Sequence, residues 1–289
     1  MLSAQDNIQL NNGLAMPLIG LGVYRCSPEE TIRSVQAALA AGYRLIDTAT
    51  AYGNEEQVGQ ALRSSGVDPA GVFVTSKLWI SDYGYDEALR GYEASLQRLG
   101  MERLDLYLLH QPLTAHFERT VAAWRALAEL QAQGRVGAIG VSNLDADQIE
   151  ALIGETGAVP AVNQVELHPF FSQPALRQYH RQRGILSMAW SPIGGVNRYW
   201  LDNAQRLGDP LRHPAIVSIA EAHHKSAAQV ILRWHLQNGV VPIPKSVNPV
   251  RIAENVDLFD LELSPEEMAA IDGLDTGLRG GPDPAMIGA

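Results

Sequence analysis

The chain is poor in cysteine and in long apolar runs. It has 289 residues but a single cysteine, Cys26, so no disulfide can form within it, and a metal site built from several thiolates is excluded. This usage is typical of a reducing environment, and we expect a cytoplasmic protein. No stretch approaches the roughly 18 apolar residues of a membrane span, and no basic segment precedes an apolar run near residue 1, so neither a membrane span nor a targeting signal is expected.

Positive charge is also scarce. The 22 Lys and Arg residues are outnumbered by 32 Asp and Glu residues, which gives a net charge of −10. Without a basic stripe to follow a phosphate backbone, nucleic acid is not expected as a partner. The glycine-rich fingerprint of doubly wound dinucleotide-binding folds is missing as well, since residues 20–25 are GLGVYR. A nucleotide would have to be held by other means.

What the chain does contain is a regular alternation of short apolar runs with amphipathic stretches of helical length. This order predicts parallel strands joined by helices, and eight strands predict a closed (β/α)8 barrel, an α/β fold, as a single domain over residues 1–289. The predicted strands are residues 19–21, 44–46, 72–75, 104–109, 136–141, 161–165, 185–189 and 240–243. The predicted helices are residues 28–41, 55–65, 85–99, 117–133, 146–153, 173–183, 226–237 and 249–256.

Three segments lie outside the repeat. Ile8 and Leu10 alternate with polar neighbours, Asn11-Asn12-Gly13 supplies turn residues, and residues 14–18 form the returning strand, which predicts an N-terminal hairpin. A long segment, residues 191–213, follows the seventh strand, and a short helix beginning near Ser264 precedes the tail LRGGPDPAMIGA. Insertions at the carboxyl end of a barrel usually shape the substrate pocket.

Polar residues stand at three consecutive strand exits. Asp47 follows the second strand with Tyr52 in the same loop, Lys77 follows the third, and His110 follows the fourth. An ammonium lowers the pKa of a neighbouring phenol, so Lys77 could prepare Tyr52 to donate a proton, while Asp47 keeps Lys77 charged and His110 orients the reacting oxygen. Each residue alone could equally have an ordinary structural role. Their arrival at one barrel mouth favours a shared catalytic role.

The chain resembles the aldo-keto reductase superfamily from Pro17 to about Leu263. The resemblance is carried by GYRLIDTATAYGNEEQVG (42–59), VTSKLW (74–79), LDLYLLHQP (104–112), GVSNL (140–144), NQVELHP (163–169), AWSPIGG (189–195) and IPKSVNPVRIAEN (243–255). It implies that Asp47, Tyr52, Lys77 and His110 are the catalytic tetrad. The implied reaction is hydride transfer from NADPH to an aldehyde or ketone, with Tyr52 as the acid.

The resemblance also implies how the cofactor is held. Lys245 and Arg251, at the phosphate corner of the barrel, would bind the 2′-phosphate and favour NADP over NAD. Ser142, Asn143 and Gln164 match carboxamide-binding positions, and Trp190 stands where an aromatic ring stacks on the nicotinamide. The predicted cofactor residues are Gly22, Val23, Tyr24, Asp47, Ser142, Asn143, Gln164, Trp190, Ser191, Ile193, Lys245, Ser246, Val247, Arg251, Glu254 and Asn255.

The substrate pocket is predicted less directly. Its candidate walls are Tyr24, Tyr52, Trp79, His110 and Gln111, together with residues 198–200. Many members of the superfamily have Trp where this chain has Gln111. A polar wall would suit hydroxylated or dicarbonyl substrates, although Gln111 could also simply face solvent.

A metal site is not expected. Glu166 and His168 alternate on the sixth strand, but a barrel hydrolase would need further ligands, and we assign them a structural role.

Trp190 and the RGGPDP ending resemble the prokaryotic diketogluconate-reductase branch. We therefore expect an NADP-dependent monomeric enzyme that reduces small dicarbonyls, keto sugars such as diketogluconate, or aromatic aldehydes. The alternatives are an NADPH-binding regulatory subunit with incidental catalysis and a metal-dependent hydrolase.

Overall fold

The computed structural model describes residues 6–194 and 208–287, which contain ten β-strands and ten α-helices. The strands are β1 (Asn7–Gln9), β2 (Ala15–Pro17), β3 (Leu21–Gly22), β4 (Leu45–Asp47), β5 (Phe73–Leu78), β6 (Leu104–Leu109), β7 (Val136–Ser142), β8 (Val162–Glu166), β9 (Leu186–Trp190) and β10 (Val241–Pro242). The helices are α1 (Pro28–Ala40), α2 (Glu55–Ser64), α3 (Tyr85–Leu99), α4 (Phe117–Ala132), α5 (Ala146–Thr156), α6 (Pro174–Arg183), α7 (Pro214–Ala222), α8 (Ala227–Gln237), α9 (Pro249–Val256) and α10 (Pro265–Asp272).

The eight strands from β3 to β10 form one parallel sheet in sequence order. Its first and last segments are joined by two hydrogen bonds of 3.1 Å, from Gly20 N to the Pro242 carbonyl and from Gly22 N to the Pro244 carbonyl. The sheet therefore closes on itself, and the predicted (β/α)8 barrel is confirmed.

The N-terminal hairpin covers the end of the barrel away from the strand exits. β1 and β2 pair antiparallel, as predicted. The side-chain amides of Asn11 and Asn12 donate hydrogen bonds to the carbonyls of Pro160 and Gly137, at 3.0 and 2.9 Å. Both carbonyls lie at the amino ends of barrel strands, so the opposite end is left open.

The strands near the open end extend further than the apolar runs indicate. Lys77 lies inside β5 rather than after it, because the parallel ladder with β6 continues through Lys77 opposite Leu108. In the same way Asp47, Ser142 and Trp190 are the last residues of their strands. Sequence analysis also missed α7, which lies between the long segment after β9 and α8. It follows that the barrel backbone itself fixes most of the polar side chains at the mouth.

Side-chain alternation along the strands divides the apolar core into two layers. Leu106 and Leu108 of β6 point into the barrel with Met188, whereas Tyr107 and Leu109 pack outward against the helices. The helices are correspondingly amphipathic, with one apolar face against the sheet. Among the described residues, no helix has the length and apolarity to cross a membrane.

Candidate active site

The centre of the open end is a buried ion pair that also touches a phenol. Lys77 Nζ donates hydrogen bonds to Asp47 Oδ1 at 2.6 Å, to the Thr48 carbonyl at 3.0 Å and to the Tyr52 hydroxyl at 3.3 Å. These contacts use all three ammonium hydrogens. Neighbouring strands bring Asp47 and Lys77 together, while a 3-10 turn over Thr50–Tyr52 delivers the phenol.

The electrostatics of this cluster differ in one respect from the sequence-based expectation. Although burial alone lowers the pKa of Lys77, the carboxylate of Asp47 and the phenol of Tyr52 raise it above its ordinary value. Burial raises the pKa of Tyr52, and the opposing effect of Lys77 does not cancel it. The expected net lowering of the Tyr52 pKa is therefore wrong for the protein alone, because desolvation outweighs the ammonium. Tyr52 is a fully protonated phenol at neutral pH.

His110 lies directly after β6, beside this cluster. Its ring meets the rings of Tyr52 and Trp79 edge-on, with centroids 5.6 and 5.0 Å apart. Burial and the neighbouring charge of Lys77 hold the pKa of His110 well below its usual value. The imidazole is therefore neutral, so it can form a hydrogen bond to a ligand but is not a source of protons at neutral pH.

Three amide and hydroxyl side chains connect the next strands to the same centre. Gln164 Nε2 donates to Asp47 Oδ2 at 2.8 Å, and Ser142 Oγ donates to the Gln164 carbonyl at 2.7 Å. Asn143 has a left-handed backbone, with φ of 66°, and its Oδ1 accepts a 2.8 Å hydrogen bond from Trp190 Nε1. The indole of Trp190 is thus held in one orientation at the end of β9.

A cavity of about 760 Å³ opens at the mouth of the barrel, and we call it the mouth cavity. Its walls include every predicted substrate residue from Tyr24 to Gln111 and every predicted cofactor residue except Val23. Val23 is instead fully buried in the core. Residues 198–200, also predicted as walls, lie outside the described residues.

The mouth cavity has chemically distinct parts. Asp47, Tyr52 and His110 lie on its walls, and so do the cations Lys245 and Arg251, which come from the segment between β10 and the first turn of α9. Gln111 is half-buried, and its Oε1 is a buried oxygen without a hydrogen-bond partner among the described residues. This favours a wall role for Gln111 over a solvent-facing one.

Sequence analysis missed several wall residues. One group is Ser226, Ala227 and Ala228 at the start of α8. Another is Pro282, Pro284 and Ile287, which belong to the tail that was expected to shape the pocket but were not named individually. The capping pattern of Ser226 with Gln229 marks the first group, since it identifies a helix start just after the long segment. No local signal indicates where the tail lies, because its position depends on contacts with distant strands.

Glu166 and His168 contact each other and the tail of the chain. Within residues 6–194 and 208–287, no group of three or more His, Cys, Asp and Glu side chains is arranged to hold a metal ion. Instead, Glu166 Oε1 lies 3.1 Å from His168 Nε2 and accepts a hydrogen bond from the backbone of the tail. The structural role predicted for the pair agrees with these contacts.

Known proteins are similar to this chain over nearly its whole length. Morphine 6-dehydrogenase of Pseudomonas putida is 55% identical over 281 residues, covering 97% of this chain and 95% of that protein. Glyoxal reductase of Bacillus subtilis (strain 168) is 46% identical over 283 residues, covering 98% of this chain and 97% of that protein.

Solved structures are similar to this chain as well. An aldo/keto reductase from Brucella melitensis superposes with a TM-score of 0.86 at 45% identity, covering 93% of this chain and 99% of that one. A mutant of Gox0644 in complex with NADPH superposes with a TM-score of 0.90 at 44% identity, covering 98% and 99%. The model of the Aldo/keto reductase family matches residues 17–276. The chain therefore belongs to the aldo/keto reductase family.

Proposed function

We propose that this protein is an NADPH-dependent reductase of aldehydes and ketones, a single barrel domain over residues 1–289 in which Tyr52 is the acid. The observation that carries the proposal is the three-way contact of Lys77 with Asp47 and Tyr52 at the wall of the mouth cavity. The arrangement supplies a protonated phenol on a buried ammonium. Those are the groups that reduction of a carbonyl requires of the protein.

The residues of the mouth cavity fit the proposed cofactor. Lys245 and Arg251 offer two cations to a phosphate group, and the indole of Trp190, fixed by Asn143, offers a flat apolar face. A mutant of Gox0644 in complex with NADPH and a Bombyx mori aldo-keto reductase in complex with NADP are similar structures, and they support this choice. When bound, NADPH supplies the hydride that reduces the carbonyl carbon.

The remaining chemistry belongs to the chain. The Tyr52 oxygen accepts a hydrogen bond from Lys77, so its own hydrogen is free to point towards the substrate oxygen. As that oxygen gains charge, Tyr52 transfers its proton, and Lys77 stabilises the phenolate that is left. Neutral His110 holds the oxygen by a hydrogen bond, and Asp47 keeps Lys77 charged throughout.

The proposed substrates are small dicarbonyls, keto sugars such as diketogluconate, and aromatic aldehydes. The rings of Tyr24 and Trp79 give the mouth cavity apolar walls. Gln111 Oε1, which has no hydrogen-bond partner among the described residues, can accept a hydrogen bond from a substrate hydroxyl. A relative is named glyoxal reductase, which supports the dicarbonyl class. Membership of the diketogluconate-reductase branch, a cytoplasmic location and a monomeric state belong to the same proposal.

The direct test is NADPH oxidation with methylglyoxal, an aromatic aldehyde and diketogluconate. Tyr52→Phe should lower kcat by about 10²–10⁴-fold, the usual contribution of a positioned acid, while NADPH binding is kept. Tyr85→Phe, which removes a hydroxyl from the outer surface, is the matched control. Equal activity in Tyr52→Phe and the unmodified protein would overturn the mechanism.

The cofactor assignment is tested separately with Arg251→Ala. Loss of one cation should weaken NADPH binding strongly and NADH binding little, because only NADPH carries the 2′-phosphate. Equal weakening for the two cofactors would contradict the assignment. Tight NADPH binding without turnover of any carbonyl would favour the regulatory alternative.

A further inference from the structure

The tail of the chain is fastened to the barrel by one buried carboxylate. Glu166, the last residue of β8, accepts hydrogen bonds from the backbone amides of two consecutive tail residues. Gly280 N donates to Oε1 at 2.7 Å, and Gly281 N donates to Oε2 at 3.0 Å. Arg279 adds charge, with Nη1 3.6 Å from Oε2. Among the described residues outside the tail, His168 also contacts this carboxylate, with Nε2 3.1 Å from Oε1.

The carboxylate and the tail depend on each other. The Glu166 side chain has no solvent exposure, and burying a carboxylate is costly unless it is hydrogen-bonded and paired. The two amides and the guanidinium of the tail supply most of its partners. A Gln at this position would be neutral, and its NH₂ group would face the backbone N–H of Gly280 or Gly281. Both groups are donors, so no hydrogen bond would form between them.

The anchored segment leads directly into the wall of the mouth cavity. Pro282 follows Gly281, and its ring fixes φ, so the direction in which the chain leaves the anchor is restricted. Pro282, Pro284 and Ile287 then line the same cavity as Tyr52 and Trp79. The anchor therefore controls where this apolar wall stands.

Two further contacts place the tail across the barrel mouth. Before the anchor, Thr276 Oγ1 donates to the Phe170 carbonyl at 2.8 Å. Beyond it, Thr114 Oγ1 donates to the Ala285 carbonyl at 3.1 Å. Both are neutral hydrogen bonds, which are weaker than hydrogen bonds to a charged group. A second charged contact, from Ser172 Oγ to Asp275 Oδ2 at 2.8 Å, lies before the anchor, whereas the Glu166 contacts directly precede Pro282. The family match ends at residue 276, so this wall is formed by residues outside the segment that the family model matches.

We propose that Glu166 is a positioning residue that sets substrate specificity by holding Pro282, Pro284 and Ile287 against the substrate. The substrates whose binding depends on Glu166 are bulky apolar carbonyl compounds, because these are wide enough to reach the wall formed by the tail. Small dicarbonyls that occupy only the space beside Tyr52 and His110 do not need it. The proposal rests on the proposed reductase function.

The test compares Glu166→Gln with the unmodified protein on 2-naphthaldehyde and methylglyoxal. The KM for naphthaldehyde should rise about tenfold, as expected when a hydrogen bond to a charged group is lost. The kcat/KM for methylglyoxal and the Kd for NADPH should change little. Hydrogen exchange at the amides of Gly280 and Gly281 should become faster.

A second pair of variants acts from the tail side and leaves the barrel untouched. Gly281→Pro removes the donor to Oε2, whereas Gly281→Ala keeps it and serves as the control. Gly281→Pro should reproduce the naphthaldehyde defect, and combining it with Glu166→Gln should add little, because both variants break the same contact. If Glu166→Gln does not fold, this pair still decides the question.

Three results would overturn the inference. One is an equal loss for methylglyoxal and naphthaldehyde in Glu166→Gln, another is a matching loss of NADPH affinity, and the third is full additivity with Gly281→Pro. Each would show that Glu166 supports the barrel rather than the tail wall. An unmodified protein that reduces no aldehyde would instead overturn the proposed function, while hydrogen exchange would still report on the anchor.

Discussion

Lys77 Nζ and Asp47 Oδ1 lie 2.6 Å apart, and the two side chains are 0% and 2% exposed. A pair with so little water around it differs from a surface ion pair, because neither charge can be solvated when its partner is removed. The same ammonium reaches Tyr52. Stability and proton transfer therefore depend on one set of contacts.

Asp47→Asn should accordingly affect both properties. We expect the free energy of unfolding to fall by about 3–5 kcal/mol, the usual cost of an uncompensated buried charge. Reductase activity should fall with it, because Lys77 would lose the carboxylate that keeps it charged. Glu87→Gln is the control: it breaks the 2.9 Å pair with Arg90 on the surface and should change stability little. Denaturant unfolding measures the free energy of unfolding of both variants. Similar losses in Asp47→Asn and Glu87→Gln would show that burial does not distinguish the two ion pairs.

The pH dependence of reduction follows from the state of Tyr52. Reduction needs the protonated phenol, so kcat/KM should stay level through neutral pH and decline only above the ordinary phenol pKa of about 10, because burial raises the pKa of Tyr52. No acidic decline near pH 6.5 is expected from His110, whose pKa lies well below its usual value.

Lys77→Met should move the alkaline decline to still higher pH and lower kcat, since the phenolate of Tyr52 would lose its counter-charge. A decline centred near pH 7 would contradict this assignment.

The barrel and the positions of Asp47, Tyr52, Lys77 and His110 at its mouth could be predicted from the sequence, because both follow from the order of short strands along the chain. Parallel strands deliver the residues at their carboxyl ends to one mouth, so Asp47, Lys77 and His110 are found by counting strands. The motif around Tyr52 then identifies the family.

Other features were not predictable in this way. The net pKa of Tyr52 depends on how completely the cavity wall buries it. The position of Pro282 depends on Glu166, more than a hundred residues earlier in the chain, and no periodicity reports such a contact. The helix α7 directly follows the long segment that lies outside the sequence repeat, so the alternation of strands and helices did not predict it.

Two helical glycines, the buried Gly59 and the exposed Gly154, should respond oppositely to alanine. A Cβ on Gly59 of α2 would lie 2.0 Å from the Leu99 carbonyl oxygen, so the end of α3 would have to move. Gly59→Ala should destabilise the protein by about 1–3 kcal/mol, as overpacking does. A Cβ on Gly154 of α5 meets nothing within 4 Å, so Gly154→Ala should stabilise by about 0.5–1 kcal/mol through helix propensity. Thermal unfolding of both variants separates packing from propensity, and a loss of stability in Gly154→Ala would refute the comparison.

A buried histidine should make the stability of the fold depend on acid. His235 of α8 has no solvent exposure, and its Nε2 donates to the Pro192 carbonyl at 2.9 Å, beside the start of the long segment after β9. Burial lowers the pKa of His235 to about 3, whereas the unfolded chain has a value of about 6.5. Between these values the unfolded state binds the extra proton. The free energy of unfolding must therefore fall as the pH drops from 6.5 towards 3.

His235→Asn should remove this part of the acid sensitivity. The slope of stability against pH between about 6 and 4 should decrease by up to about 1.4 kcal/mol per pH unit, the linkage value for one proton. Burial lowers the pKa of His180 to about 4. In the variant, His180 should therefore still make the free energy of unfolding depend partly on pH in this range. His116→Asn, a substitution at an exposed ring, is the control and should follow the unmodified protein. Denaturant unfolding across this range provides the measurement, and an unchanged slope in His235→Asn would mean that His235 takes up its proton without unfolding.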